Sequence, residues 1–264
     1  MTRRIGLVII AITACAAVFG PALVPWDADT QLLSQRLAAP SLTHPLGLDE
    51  LGRDILARLA EGARISLGVG LAVVGISSVL GILIGSVAGY AGGVVDTVIG
   101  RVMDVLLAFP GILLAIALVA VLGPSLTNVV LALCVIGWVG YARVVRGQVL
   151  KVRELEYVQA ARALGAPSWH ILLRHVIPPT LPAVTVQATL GMAGSIIAEA
   201  SLSFLGLGVQ PPTPSWGTML DAGRAHLFDA PHLTIFPGLA IALLVLGFNF
   251  VGDALRDRID PRAS

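Results

Sequence analysis

The chain has 264 residues, of which 56% are hydrophobic and only 12% charged, with a formal net charge of +1. An ordinary soluble domain is roughly 25% charged, and a mean hydropathy of +0.88 leaves too few charges to clothe a water-facing surface of this size. The near-neutral balance removes nucleic acid as a partner, and the five histidines and sixteen acids are scattered rather than set at metal-ligand spacing.

In chain order, the first apolar run is Ile5 to Val24, preceded by Arg3 and Arg4. A secretory signal peptide has a similar layout, but this run is long for one and the chain beyond it is equally oily. Residues 1–24 therefore read as an N-terminal transmembrane helix that starts in the cytoplasm. The polar stretch 25–64 sets Asp27, Asp29, Asp49, Glu50, Asp54 and Glu61 against Arg36, Arg53, Arg58 and Arg64, and reads as an extracytoplasmic loop with local structure.

Residues 65–255 read as a core of five further helices. The run from about Ile65 to Tyr90 is apolar and carries Gly81, Gly85 and Gly89, continued by Gly93, at four-residue intervals. That spacing suits close packing between membrane helices, although glycine is common in spans anyway. A polar link with Asp96 and Arg101 follows; Asp96 and Asp104 are placed either to order the cytoplasmic helix ends or to pair with Arg101. Val102 to Leu122 is interrupted by Pro110 and Gly111, where a kink is expected. The fourth run is Val129 to Val145, the fifth Leu181 to Leu207 and the sixth Leu233 to Val251, leaving 256–264 as a cytoplasmic tail. Cys15 and Cys134 fall inside apolar runs and are expected to be buried, inert thiols.

Six spans of roughly 20 residues match a hydrocarbon core about 30 Å thick. The expected fold is an all-α membrane protein with six transmembrane helices. A membrane β-barrel is excluded, because its strands would alternate polar and apolar. Six crossings put both ends on one side. If that side is the cytoplasm, it holds Arg3, Arg4, Arg101, Arg143, Arg146, Lys151, Arg153, Arg162, Arg174, Arg256, Arg258 and Arg262, twelve of the seventeen basic residues. The bias follows the positive-inside rule.

The longest inward link is residues 146–179. Glu154 to Leu164 favours helix, Gly165 offers a stop with Pro167 beyond, and Ser168 is placed to cap a second short helix running to Val176. Tyr157, Ala160, Ala161 and Leu164 fall near one helical face. The result is a compact elbow that suits a protein partner, or else an amphipathic linker on the membrane surface. In the spans, Glu199 is a functional candidate because an ionisable group at that depth is costly. It suits either a substrate amine in a translocation path or a hydrogen bond between helices. Asn249 carries the same two readings. Trp216 is read as an interfacial anchor, or as a contact for an external protein.

At the elbow the chain resembles the inner-membrane permease subunits of binding-protein-dependent ABC importers. Their cytoplasmic signature is Glu-Ala-Ala, three residues, Gly, nine residues, Ile, one residue, Leu-Pro. Here Gln159, Ala160, Ala161, Gly165, His175, Ile177 and Pro178 occupy that frame, with Gln159 in place of the acid and His175 at the first Ile. His44-Pro45-Leu46-Gly47, Asp49 to Asp54, Gly62 to Leu67, Ser201 to Gly208, Pro211, Pro212, Ser215, Trp216, Gly217, Gly252 to Asp257 and Asp260-Pro261 are similar to motifs of the second permease subunit in the oligopeptide, dipeptide and nickel group.

The resemblance implies a type I ABC importer permease fold in the bacterial cytoplasmic membrane. It implies a second homologous permease, two ABC ATPase subunits and an extracytoplasmic solute-binding protein as partners, in contact with membrane lipid. Tyr157, Gln159, Ala160, Ala161, Arg162, Leu164 and Gly165 would form the coupling helix that meets an ATPase, with ATP and magnesium held by the ATPases. The solute would be a dipeptide or short oligopeptide, with nickel as a known variant. The chain itself is not expected to be an enzyme: its sole lysine, Lys151, follows Leu150, so no Gly-Lys phosphate loop can be drawn. The competing class is a secondary transporter or channel, which would need its coupling site within broken spans or inverted repeats.

Overall fold

The computed structural model describes residues 2–259; Asp260, Pro261, Arg262 and the end of the expected tail lie outside them. The described residues are all-helical apart from turns and one isolated β-bridge, Leu48 with Asp54. The helices are α1 (Thr2–Leu23), α2 (Ile55–Ala91), α3 (Gly93–Leu107), α4 (Gly111–Leu122), α5 (Leu126–Val152), α6 (Glu156–Ala163), α7 (Ser168–Ile171), α8 (Leu181–Phe204), α9 (Trp216–Gly223) and α10 (His232–Ile259). Five segments are long and apolar enough to cross a membrane, and α3 with α4 makes a sixth apolar unit bent by 84°.

The second helix starts ten residues earlier than the sequence suggested. Asp54 caps it, its carboxylate accepting the Ala57 N–H at 2.9 Å. Arg58, Glu61 and Arg64 thus sit in the first turns of α2 rather than in a loop. The arginines are held by neighbours. Arg58 Nη1 donates to the Ala28 carbonyl at 3.1 Å, and its Nε lies 3.5 Å from Asp49. Arg64 Nε donates to the Ala17 carbonyl at 3.1 Å. Pro21, inside α1, has no N–H for the carbonyl four residues back, so Arg64 supplies the donor that Ala17 would otherwise lack. The polar stretch before α2 folds into a small cap. Asp49 Oδ1 accepts the N–H groups of Leu51 and Arg53, its other oxygen takes Arg53 Nε at 2.7 Å, and His44 Nδ1 lies 2.8 Å from Asp54.

Helix α2 packs along α5. A Cβ at Gly85 would stand 2.5 Å from the Ala142 carbonyl oxygen, and one at Gly89 would stand 2.9 Å from Val149 Cβ. Gly81 meets Tyr141 and Ala142 in the same way. Gly93, the fourth of the series, is not part of this contact: Gly92 ends α2 with φ +66°, and nothing lies within 4 Å of a Cβ at Gly93. Close backbone approach, rather than mere glycine abundance, explains the first three.

Asp96 and Asp104 do not pair with Arg101. Helix α3 lies beside α5, and Arg146 forms a two-pronged pair with Asp96, Nη2 to Oδ2 at 2.7 Å. Arg143 Nη2 meets Asp104 at 2.6 Å. The seven residues from Arg146 to Val152, expected in a loop, continue α5, and α10 likewise runs on past Val251 to Ile259. Cys134 is buried, whereas Cys15 is exposed on the outer face of α1. Trp216 is neither interfacial nor free for an external partner. It is buried at the start of α9, its indole N–H donating to the Leu59 carbonyl at 3.0 Å beneath Gly62.

Replacing Gly85 by Leu forces α2 and α5 apart and is expected to cost about 1–3 kcal/mol, read as a lower midpoint of thermal unfolding in detergent. Gly75→Ala, with open space around its Cβ position, is the control that should leave the midpoint unchanged.

Candidate functional site

The elbow begins where α5 ends at Val152. Arg153 fastens it to the neighbouring helix, its Nη1 donating to the Gly89 carbonyl at 2.7 Å. Helix α6 follows with Glu156 in its first turn and Arg162 in its last, the arrangement that complements a helix dipole. Its end is a Schellman closure. The Ala166 N–H returns to the Ala161 carbonyl at 3.1 Å and the Gly165 N–H to the Arg162 carbonyl at 3.0 Å. Gly165 sits between them at φ +79°, a conformation that a Cβ disfavours.

Pro167 occupies the cap position of α7, so Ser168 is the first residue of that helix and makes no capping hydrogen bond. The second helix is also shorter than expected. After Ile171 the backbone widens into a π turn over Leu172–Val176, closed by the Ile177 N–H on the Leu172 carbonyl at 2.9 Å.

The elbow is anchored from below. Val158, Ile171 and Val176 are fully buried against Val145, Val149 and Val152 of α5, with Ala161 and Ala166 packed on the same cluster. Ala161 therefore faces the bundle and not outward with Ala160 and Leu164, because the closing turn folds Ala166 beneath it. Tyr157 donates its hydroxyl to the His175 carbonyl at 3.2 Å. Gln159 Nε2 donates to the Arg153 carbonyl at 3.2 Å. The Arg162 guanidinium lies 5.7 Å from the centre of the Tyr90 ring at the end of α2.

The exposed surface of the elbow mixes charged residues such as Glu156 and Arg162 with large apolar ones. Leu164 is 88% exposed at the tip and Trp169 is 65% exposed beside it. Large exposed apolar side chains on a tightly tied turn suit either a protein partner or the membrane surface. Trp169 lay outside the signature positions and gave no signal in the sequence.

The polar candidates in the spans lie apart from the elbow and from each other. Glu199 is fully buried between α2 and α8. Its carboxylate accepts from Ser66 Oγ at 3.1 Å and from Ser203 Oγ at 2.8 Å. Ser201 turns away and donates to the Ile197 carbonyl. Asn249 is half-buried on α10 and, among the described residues, makes no side-chain hydrogen bond. Ser66 was not foreseen as a partner for Glu199; the two are 133 positions apart, and no local pattern joins them.

The family model for the binding-protein-dependent transport system inner membrane component matches residues 81–264. The glutathione transport system permease protein GsiD of Pectobacterium atrosepticum is 46% identical over 258 residues, covering 97% of this chain and 85% of that protein. The chain belongs to this family of inner-membrane permeases. The dipeptide transport system permease protein DppC of Alkalihalophilus pseudofirmus is 44% identical over 258 residues, covering 98% of this chain and 85% of that one. A chain of the MetNI methionine ABC transporter, in an inward-facing conformation, superposes with a TM-score of 0.54 at 19% identity, over 74% of this chain and 95% of its own. The fold is thus that of an ABC importer permease. It is a multi-pass membrane subunit of a transport system and not an enzyme.

Replacing Glu199 by Leu strands the hydroxyls of Ser66 and Ser203 in the core and is expected to cost about 1–3 kcal/mol of stability. Ser66→Ala, which leaves Ser203 in place, should cost less. Thermal unfolding of the purified variants compares the two.

Proposed function

We propose that this chain is the second of two permease subunits in an ATP-driven importer of dipeptides or short oligopeptides. Identity of 44–46% to glutathione and dipeptide permeases supports the solute class, since both solutes are peptides. Counting the bent α3–α4 pair as one crossing gives six spans with both termini cytoplasmic, an arrangement that leaves the basic elbow inside. The partners are a homologous permease, two ATPases and an extracytoplasmic binding protein.

The observation that carries the reading is the exposed tip, Leu164 and Trp169, on an elbow pinned to α2 and α5. A groove on an ATPase would receive the tip. Because Arg153, Arg162 and the Val158 cluster tie the elbow to both helices, displacement of the tip moves α2 and α5 as one body. Rigid displacement of this kind is how small movements at an effector site open a path elsewhere. Tyr157, Gln159 and Ala161 hold the elbow's shape, while Ala160, Leu164 and Gly165 present its surface. Glu199 ties α2 to α8 within the moving unit. Asn249 is left as the candidate for contact with the neighbouring subunit or the path.

Uptake of labelled alanyl-alanine and labelled glutathione, in cells lacking the chain and in cells carrying it on a plasmid, tests the solute class. Restoration of neither would sink it. Gly165→Val, which opposes the left-handed turn at a cost of about 1–2 kcal/mol, should lower uptake at least several-fold and weaken co-purification of the ATPases. Membrane insertion should stay normal. Wild-type uptake by that variant would remove the elbow from the coupling route.

A further inference from the structure

Most polar side chains in the spans have partners, but three buried hydroxyls do not; Ser86 Oγ on α2 stands alone, whereas the other two share a pocket. Ser77 Oγ on α2 and Tyr141 Oη on α5 are enclosed and unbonded. Both line one pocket of about 250 Å³, shared with Gln187, Gly191, Gly194 and Ser195 of α8 and with the first residues of α4. A buried hydroxyl without a partner is costly, so a place where two converge calls for a ligand or water.

The pocket sits at mid-depth. Ile136 and Gly137 of α5 line it, and Ile136 lies ten residues from the start of that helix, or about 15 Å along its axis. That is half the thickness of a hydrocarbon core. Glycines keep it open. A Cβ at Gly191 would collide with the Tyr141 hydroxyl, and one at Gly194 would meet nothing within 4 Å. Helix α4 begins here, at Gly111, with no side chain capping its first N–H groups. A helix start of this kind attracts carbonyl or carboxylate oxygen.

The face on which the pocket opens is not built for lipid. Between Leu107 and Gly111 the backbone leaves the helix, and Phe109, Pro110 and Gly111 are exposed. Non-helical backbone at membrane depth is tolerated only inside protein or along a wet cavity.

We propose that this pocket is a subsite of the translocation path. Ser77, Tyr141, Gln187 and Ser195, with the open start of α4, exchange hydrogen bonds with the amide and carbonyl groups of a passing peptide backbone. The inference rests on the peptide-importer reading above. No charged side chain lines the pocket, and its remaining walls are aliphatic or glycine. It therefore recognises the neutral backbone common to all peptides and ignores the side chains that differ between them.

The test uses the complete transporter, with its partner permease, ATPases and binding protein, in proteoliposomes. In a Cys15→Ala, Cys134→Ala background, Gly194→Cys should react with a charged, membrane-impermeant methanethiosulfonate in at least one nucleotide state. Alanyl-alanine supplied with its binding protein and ATP should slow that reaction. Tyr141→Phe and Ser77→Ala, each losing a single hydroxyl, should each reduce uptake of labelled alanyl-alanine about fivefold at saturating binding protein, with subunit assembly intact. A cysteine inert in every nucleotide state while uptake persists overturns the proposal, and so does wild-type uptake by both hydroxyl variants. Failure of the unsubstituted complex to take up alanyl-alanine or glutathione is a separate result. It removes the peptide assignment itself, and this subsite with it.

Discussion

The contact of α2 with α5 governs the rest of the molecule. Gly81, Gly85 and Gly89 carry no side chains where Tyr141, Ala142 and Val149 press in, so the two backbones approach more closely than larger residues would allow. Without water to drive helices together, this close dispersion contact is a main source of cohesion in a bilayer. It also brings the Gly89 carbonyl within reach of Arg153, which fixes the elbow to the end of α2. At 37 residues, α2 is about 55 Å long. One rigid rod thus joins the folded cap around Asp49 and Asp54 to the elbow at the opposite end.

The paired polar groups of this bundle divide by what they hold. Arg64 repairs the carbonyl that Pro21 leaves open in α1, and Glu199 gathers Ser66 and Ser203 across α2 and α8. Asp96 and Arg146 clamp α3 to α5. Each places a paired polar group where an unpaired one would destabilise the fold, so each fixes a helix neighbour. The hydroxyls of Ser77 and Tyr141 differ in having room before them and no partner. The same low-polarity surroundings that strengthen the paired groups make the unpaired ones receptive.

The elbow combines stiffness with an unsatisfied surface. Buried Val158, Ile171 and Val176 tie it to the transmembrane bundle, and the Schellman closure at Gly165 fixes its tip. Leu164 and Trp169 gain nothing from water in that position. A loosely held loop would fold them inward; this one cannot, because its backbone hydrogen bonds are already committed. In the proposed coupling role that stiffness matters, since a flexible link would absorb a displacement instead of transmitting it.

The sequence alone determined the membrane setting, the approximate place of the five long apolar helices, the kink at Pro110, the turn at Gly165 and the family frame from Gln159 to Pro178. These are local properties, set by composition, by proline and glycine backbone limits, and by short-range spacing. It misplaced the start of α2, because Arg58 and Arg64 read as loop residues until Asp49, Ala28 and Ala17 supply their partners. It left Asp96 and Asp104 either to order the helix ends or to pair with Arg101, the nearest base in the chain, and both acids reach across to α5 instead of to Arg101. Trp216 looked interfacial, yet it fills the space under Gly62. Only the tertiary structure decided which buried polar groups meet, which glycines are contacts and which hydroxyls stay free, because each depends on residues dozens to more than a hundred positions apart being brought to one depth in the bundle.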